Sequence, residues 1–352
     1  MLVLTVVGAR PQFVKAAVVS RALRRSHREI LLHTGQHYDD AMSDLFFREL
    51  GLPAPDLHLG VGSGTHAEQT GRMLPGIEAA VREHRPDVVL VYGDTNSTLA
   101  GALAAAKLGV AIAHVEAGCR SGDRAMPEEV NRVVADHLSR VLFCPTRVTV
   151  ENLAREGITA GVHLVGDVML DLCRERLPEA ERRSTVLADL GLEPGGYLVA
   201  TIHRAGNTVD SERLAALVAA LDTLEEPVVF PVHPRTRAAL GGVALAPNVR
   251  AIEPVGYLDM LVLLRYARMV LTDSGGVQRE AFFVGTPCLT LREVTEWPET
   301  VEAGWNRLVG ADAEAIRSAV ASWKPAGVPP EGLFGDGRAG ERIARLLEAA
   351  GE

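Results

Sequence analysis

Short runs of apolar, often β-branched residues recur along the chain, and each gives way to a turn and then to a longer segment with apolar positions at helical spacing. VLTVV at Val3–Val7 leads into GARPQFVKA, VVLVY at Val88–Tyr92 into GDTNSTLAGALAAAK, and MVLT at Met269–Thr272 into DSGGVQREAFF. Strands buried on both faces read as continuous apolar runs, and strands that alternate with crossover helices pair in parallel. The pattern predicts an α/β chain with doubly wound parallel sheets. Its strands are expected at Val3–Val7, Glu29–Thr34, Val88–Tyr92, Ala111–Val115, Val141–Cys144 and His163–Val165. They resume at Tyr197–Ile202, Val228–Val232, Val249–Ile252, Met269–Thr272, Cys288–Leu291 and Arg307–Val309.

A length of 352 residues exceeds one usual core and favours two domains. The boundary is expected between Val168 and Gly195, where Arg, Glu, Pro and Gly accumulate. Apolar spacing predicts a closing helix over Arg338–Ala350.

Several function classes are disfavoured. No apolar run approaches the roughly 18 residues needed to span a bilayer, so a membrane protein is not expected. MLVLTVVGARPQF lacks a basic leader and a small-residue cleavage site and is read as a first strand. A formal charge of -9 argues against broad nucleic-acid binding, which rests on basic surface. The four cysteines, Cys119, Cys144, Cys173 and Cys288, are scattered without a CxxC, which argues against a zinc knuckle or disulfide framework and fits a reducing, cytoplasmic location.

Chemistry concentrates where apolar runs end, because ligands in open α/β sheets bind beyond the carboxyl ends of strands. Asp94 in GDT, Glu116 in HVEAG and Glu128 in MPEEVNR are acids suited to proton transfer, with Arg132 one helical turn after Glu128. Crowded carboxylates raise one another's pKa, letting one act as base while another holds a proton. The alternative is that Asp94 caps a helix and the Glu residues pair with Arg120 and Arg132, the reading preferred for Glu129. In DSGGVQREA, Ser274, Gly275 and Gly276 would leave N–H groups uncovered at a helix start, a site for phosphate, and Glu280 could accept ribose hydroxyls. Arg10 and Lys15 in GARPQFVKA supply cations for a diphosphate, or are simply solvated. His203 and Arg204 in TIHRAGNT, and His233 in PVHPRT, place His-Arg pairs at strand ends; no third ligand stands at metal spacing, so no metal is expected. A nicotinamide cofactor is not expected either, since GARPQF lacks GxGxxG.

Taken in order, GARPQFVKA, TGQHYD, GDTNSTLA, HVEAG, MPEEVNR, HRAGNT, PVHPRT and DSGGVQREA closely resemble the non-hydrolysing UDP-N-acetylglucosamine 2-epimerases over nearly the whole chain. The resemblance implies a GT-B type architecture of two Rossmann-like domains around a central cleft. Residues 1–168, rejoined by the helix 338–352, would form the first domain, and 169–337 the UDP-binding second. It implies reversible C2 epimerisation of UDP-N-acetylglucosamine to UDP-N-acetylmannosamine, through elimination of UDP to 2-acetamidoglucal and re-addition, for surface polysaccharide synthesis. Asp94, Glu116 and Glu128 match its acid-base residues, and His203 matches the histidine that stabilises or protonates departing UDP. Ser274, Gly275 and Gly276 match its diphosphate cradle, Glu280 its ribose acceptor, and Arg10 and Lys15 its closing cations. No cofactor is implied, and a homodimer is.

Departures narrow the resemblance. Ala9 and Gln12 replace the commoner Thr and Glu, HRAGN replaces HRREN, and Trp297 in TEWPE stands where many members have Arg. Apart from Gly206, these features look more like the branch containing UDP-2,3-diacetamido-2,3-dideoxyglucuronate 2-epimerases, the alternative activity. A GT-B glycosyltransferase is a further alternative, and a non-catalytic UDP-sugar sensor another. Some members hold UDP-N-acetylglucosamine at a second site, matched here by Gln36, His37, Gln69, Arg204 and His233, but Glu68 stands where an Arg would be. An acid facing a diphosphate is unfavourable, which argues against such a site.

Overall fold

The computed structural model describes residues 1–36 and 49–350. They form two compact units, one of Met1–Arg174 with the segment from Glu331 onward, the other of Glu175–Pro330.

The first unit runs β1 (Leu2–Val7), α1 (Arg10–Leu23), β2 (Arg28–His33), β3 (Leu57–His58), α2 (His66–His84), β4 (Val88–Tyr92), α3 (Asn96–Lys107), β5 (Ala111–Val115), α4 (Pro127–Leu138), β6 (Val141–Cys144), α5 (Arg147–Arg155) and β7 (Val162–Leu164). Its seven strands pair in parallel in the order β3-β2-β1-β4-β5-β6-β7. The order reverses between β1 and β4. Crossovers on the two sides of such a switch point diverge and leave room for a ligand beyond the strand ends. Arg10 follows β1, Asp94 follows β4, and Glu116 follows the neighbouring β5.

Helix α6 (Val168–Arg183) spans the division between the units. The second unit continues with α7 (Val186–Leu190), β8 (Leu198–Thr201), α8 (Ala205–Thr208), α9 (Ser211–Asp222), β9 (Val228–Pro231), α10 (Pro234–Leu240), β10 (Val249–Ile252), α11 (Tyr257–Tyr266), β11 (Met269–Thr272), α12 (Gly275–Val284), β12 (Cys288–Thr290), α13 (Pro298–Glu302), β13 (Asn306–Leu308) and α14 (Ala313–Ser322). Its six strands are also parallel, ordered β10-β9-β8-β11-β12-β13. Here the switch point lies between β8 and β11, which deliver His203 and Asp273–Ser274. The expected α/β class with doubly wound parallel sheets is what the chain adopts.

Side-chain size decides how closely the layers approach. Helix α3, NSTLAGALAAAK, is built from small residues, and a Cβ on Gly101 would come within 2.9 Å of Val91 Cγ1 on β4. Burial of Leu4, Val6, Val89 and Val91 against Met73, Ile77 and Ala100 fills that layer, each large apolar side chain contributing about 1.5–3 kcal/mol. The last helix, α15 (Ala339–Ala350), packs on α1: a Cβ on Gly340 would lie 2.5 Å from Val18 Cγ1, and His27 Nε2 is 3.1 Å from the Ala344 carbonyl.

Every strand expected from sequence is present, with ends shifted by no more than a residue or two. Strand β3 was not expected, because its two residues carry no period of their own and are defined only by pairing with Leu32 and His33 of β2. Among the described residues no helix is long and apolar enough to cross a membrane. All four cysteines are buried, and none forms a disulfide.

Candidate active site

In the first unit, one amide sets the spacing of two turns. Gln12 Oε1 accepts from the Gly8 and Ala9 N–H groups (2.8 and 3.1 Å), while Nε2 donates to the Tyr92 carbonyl (3.0 Å) and to Thr98 Oγ1 (3.1 Å). This fully buried side chain ties the turn bearing Arg10 to the one bearing Asp94. Gly8 sits against the same seam. A Cβ there would fall 1.9 Å from Thr34 Oγ1 and 2.2 Å from Ser97 Oγ.

Lys15, on α1, meets Glu116 at 2.6 Å, with both side chains buried. Glu116 has φ 71°, a left-handed backbone that a residue with a Cβ adopts at a cost of about 1–3 kcal/mol. Its N–H and that of Ala117 both donate to the Phe143 carbonyl at 3.1 Å, which pins the bend. The strain turns this carboxylate off the end of β5 toward Lys15.

Thr95, not Asp94, caps α3: its hydroxyl accepts from the Thr98 N–H. Asp94 is therefore released from capping, and its Oδ2 accepts from Arg132 Nη2. Asn131 Nδ2 holds the Asp94 carbonyl at 2.9 Å. Arg132 also donates from Nη1 to Glu129 Oε2 at 2.9 Å. Glu129 accepts the Ser121 and Gly122 N–H groups too, so it organises the loop before α4, as the structural reading held. Arg120 pairs with Asp136 and Glu156 rather than with Glu116 or Glu128. Glu128 is half-buried in the first turn of α4 and lies outside the Arg132 bridge. Asp94 and Glu116 each face a cation, so local pairing takes the place of the mutual carboxylate repulsion expected from sequence.

In the second unit, Asp273 is fully buried at the end of β11. It accepts from the N–H groups of His203 and Arg204 and from Asn207 Nδ2, each at about 3.0 Å, and its Oδ1 lies 3.2 Å from His203 Nδ1. Burial alone would raise its pKa, but His203 and these donors hold it down to about 2. A carboxylate only accepts, so Nδ1 carries the proton and Nε2 points away from Asp273. His203 is half exposed and lies 5.6 Å from the His233 ring.

Ser274 caps α12, its hydroxyl accepting from the Val277 N–H at 3.3 Å, and Gly275 and Gly276 occupy the first turn. The two glycines add no side chain of their own to this helix end, where N–H groups and the dipole favour an anion, and a Cβ on Gly275 would lie 3.1 Å from Trp297 Nε1 and 3.5 Å from Glu296 Oε2. Glu280 is buried one turn on. Arg279 lies over the Trp297 ring at 3.8 Å, so the Trp of TEWPE receives a guanidinium. Arg204 reaches Glu296 at 3.3 Å, and Glu296 also takes both terminal nitrogens of Arg292.

The second-site residues are dispersed among structural contacts. Gln36 Oε1 accepts from the Ser97 N–H and hydroxyl, and Gln69 sits between Asn96 Nδ2 (2.9 Å) and the Gly62 carbonyl (2.9 Å). His233 caps α10, and His37 lies outside the described residues. Glu68 completes a capping box with Thr65, which explains an acid there. Among the described residues no cluster of three or more His, Cys, Asp or Glu is placed to hold a metal ion.

Sequence reasoning missed the supporting residues Gln12, His114, Asp136 and Asp273. One signal was available for Asp273. TIHR and LTDS end adjacent strands, and paired strand ends bring their following residues together.

A family model described as UDP-N-acetylglucosamine 2-epimerase matches residues 21–348. A UDP-N-acetylglucosamine 2-epimerase homolog of Methanococcus maripaludis is 49% identical over 99% of both chains. The UDP-2,3-diacetamido-2,3-dideoxy-D-glucuronate 2-epimerase of Pseudomonas aeruginosa is also 49% identical over 99% of both. The crystal structure of Methanocaldococcus jannaschii UDP-GlcNAc 2-epimerase in complex with UDP-GlcNAc and UDP is 43% identical, with a TM-score of 0.94, covering 99% of this chain and 100% of that one.

Proposed function

We propose that this chain, which belongs to the UDP-N-acetylglucosamine 2-epimerase family, a family of isomerases with the GT-B type fold, interconverts UDP-N-acetylglucosamine and UDP-N-acetylmannosamine by eliminating and re-adding UDP. The observation that carries the reading is the Lys15–Glu116 pair at 2.6 Å beside an Asp94 held by Arg132, with Asp94 following β4 at the switch point and Glu116 following the neighbouring β5.

In the proposed forward step a carboxylate, Asp94 or Glu116, takes the C2 proton. The C2–H electron pair becomes the C1=C2 bond of 2-acetamidoglucal, and the C1–O bond breaks with its pair leaving on UDP. Return of UDP to C1 and of a proton to the opposite face of C2 gives the epimer, for which a second acid, Glu128 included, is needed. His203, oriented by Asp273, presents Nε2 to the departing diphosphate. Ser274, Gly275 and Gly276 receive its phosphates, Glu280 the ribose, and Arg10, Lys15 and Arg132 balance charge. General acid-base groups of this kind contribute about 10²–10⁴-fold each. No external cofactor is required, because departure of UDP itself makes the C2 hydrogen removable.

The proposal is of a single site. Gln36 and Gln69 spend their amides on Ser97, Asn96 and Gly62, and Glu68 is an acid where a diphosphate would need a cation. The same reading implies a cytoplasmic homodimer that supplies N-acetylmannosamine units for surface polysaccharide.

Equal identity to the Pseudomonas relative, with Trp297 under Arg279, favours UDP-2,3-diacetamido-2,3-dideoxyglucuronate as the alternative substrate. Proton NMR of the enzyme with UDP-N-acetylglucosamine alone in deuterated water separates these. Deuterium at C2 with the epimer's signals supports the first reading. Turnover of the glucuronate only supports the second, and silence with both sinks the epimerase reading.

A further inference from the structure

His114, the first residue of HVEAG, is fully buried on β5, two residues before Glu116. Its Nδ1 lies 2.7 Å from Asp136 Oδ1, and its Nε2 lies 2.7 Å from the Gly93 carbonyl. Both partners only accept, so both ring nitrogens donate and the ring carries two protons. Asp136 is a carboxylate on independent grounds. Its Oδ2 accepts from Arg120 Nη1 at 2.7 Å and from the Gly118 N–H at 3.0 Å. Burial works against that charge, yet His114 and Arg120 hold the Asp136 carboxyl below its usual range. The charged groups around the ring are Asp136 from α4, Arg120 from the loop after β5, and Glu156 beyond Arg120 at the end of α5; two carboxylates and one guanidinium leave one negative charge, which a charged ring balances. From β6, the Cys144 thiol is pushed up to about 12 by burial and stays neutral.

The far end of this chain is the turn that carries Asp94. Gly93 is gripped twice, its N–H donating to the Val115 carbonyl at 2.9 Å and its carbonyl accepting a hydrogen bond from His114 Nε2. It also touches the other acid. A Cβ on Gly93 would lie 2.8 Å from Lys15 Nζ and 3.4 Å from Glu116 Oε1.

We propose that His114 is a positioning residue: a buried imidazolium that, anchored on Asp136, holds the Gly93 carbonyl and so fixes the Asp94 turn against the Lys15–Glu116 pair. The catalytic part of the inference rests on the epimerase reading; the state of the ring does not. Displacing a reacting group by about 1 Å costs about a hundredfold in rate, so loss of this hold is expected in kcat rather than in KM.

The test has two arms. Nitrogen-15 NMR of histidine-labelled wild-type protein in the activity-assay buffer, with His114 identified by the signal absent from His114→Asn, is expected to show both ring nitrogens protonated. One bare nitrogen overturns the proposal, whatever the enzyme's substrate. In the second arm, the Asn amide falls near Nδ1 and keeps the Asp136 bond, while the Gln amide falls near Nε2 and keeps the Gly93 bond. His114→Asn is expected to lower kcat about a hundredfold with KM within about threefold, and His114→Gln to recover at least tenfold of that loss. Equal kcat for the two variants, or losses confined to KM or thermal stability, overturns the proposal while leaving wild-type epimerisation intact; an inactive wild type overturns the functional reading instead.

Discussion

His203 Nδ1 stands 3.2 Å from Asp273 Oδ1, and the same carboxylate accepts the backbone N–H groups of His203 and Arg204. One buried acid thus sets the tautomer, the ring orientation and the local backbone of the residue proposed to meet departing UDP. Asp273→Asn keeps the shape but presents an amide that can donate to Nδ1, favouring the wrong tautomer. A fall in kcat of about 10²–10⁴-fold is expected, by analogy with other Asp-oriented histidines. Steady-state kinetics with unchanged KM would bear this out, and a kcat within threefold of wild type would remove Asp273 from the mechanism.

The same carboxylate makes stability depend on pH with a definite sign. Its folded pKa of about 2 lies below the ordinary 3.8, so the native state binds this proton less readily than the unfolded chain. The contribution is fully present above about pH 4 and is lost as pH falls toward 2; its size is on the order of 2 kcal/mol. Urea titrations should show wild type and Asp273→Asn separated by a constant gap above pH 5 that narrows on acidification. A gap that widens toward pH 2 would contradict the assignment.

Gly8→Ala is expected to be costly for its size. The new Cβ would lie 1.9 Å from Thr34 Oγ1 and 2.2 Å from Ser97 Oγ, two hydroxyls already bonded to each other at 2.8 Å. Both must move, and with them the Gln36 contact to Ser97 and the turn before Arg10. Overpacking of this kind costs about 1–3 kcal/mol, read as a lower urea midpoint with an unchanged slope. A midpoint equal to wild type would show that this seam is loose.

How far the sequence reveals this molecule depends on whether a feature is periodic or pairwise. Strands such as Val88–Tyr92 and Met269–Thr272 declare themselves because both faces are buried, whereas β3 exists only through its partner strand. Asp94, Glu116 and Ser274 were legible because each follows an apolar run. Which cation each acid meets was not: Lys15 and Glu116 are far apart in the chain, and their pairing follows from β1 and β5 flanking β4. The choice of Thr95 over Asp94 as cap was likewise invisible, since both residue types cap well and only the backbone decides. Gln12 shows the same limit, as its four bonds reach two turns brought together by the sheet.

Arg132 is nearly fully buried between Asp94 and Glu129. Removing it in Arg132→Ala leaves the Glu129 carboxylate buried without its cation, a defect that typically costs about 3–5 kcal/mol. Arg132→Lys keeps the charge but cannot span both acids with separate nitrogens of one fork, so an intermediate stability with reduced kcat is expected. Chemical denaturation of both variants checks the order wild type, Lys, Ala. Equal stability of Ala and Lys variants would mean the bridge contributes shape rather than charge.

Asp171 on α6 accepts from the Gly340 N–H at 2.8 Å and so ties down the start of the last helix, yet its other oxygen, Oδ1, is buried with no partner among the described residues. Burial, the largest influence, raises its pKa to about 6 despite the Gly340 and Ala339 N–H groups. The sign is opposite to that of Asp273. The native state now binds the proton more readily than the unfolded chain, so stability falls as pH rises from about 4 through about 6, by up to about 3 kcal/mol. Asp171→Asn keeps an acceptor for Gly340 and carries no charge. It is expected to stabilise the protein at pH 8 while leaving it unchanged near pH 4, the reverse of what loss of a helix-capping acid usually does. Thermal unfolding at the two pH values decides: a variant less stable than wild type at pH 8 would show that the charge on Asp171 holds the terminal helix more than its burial costs.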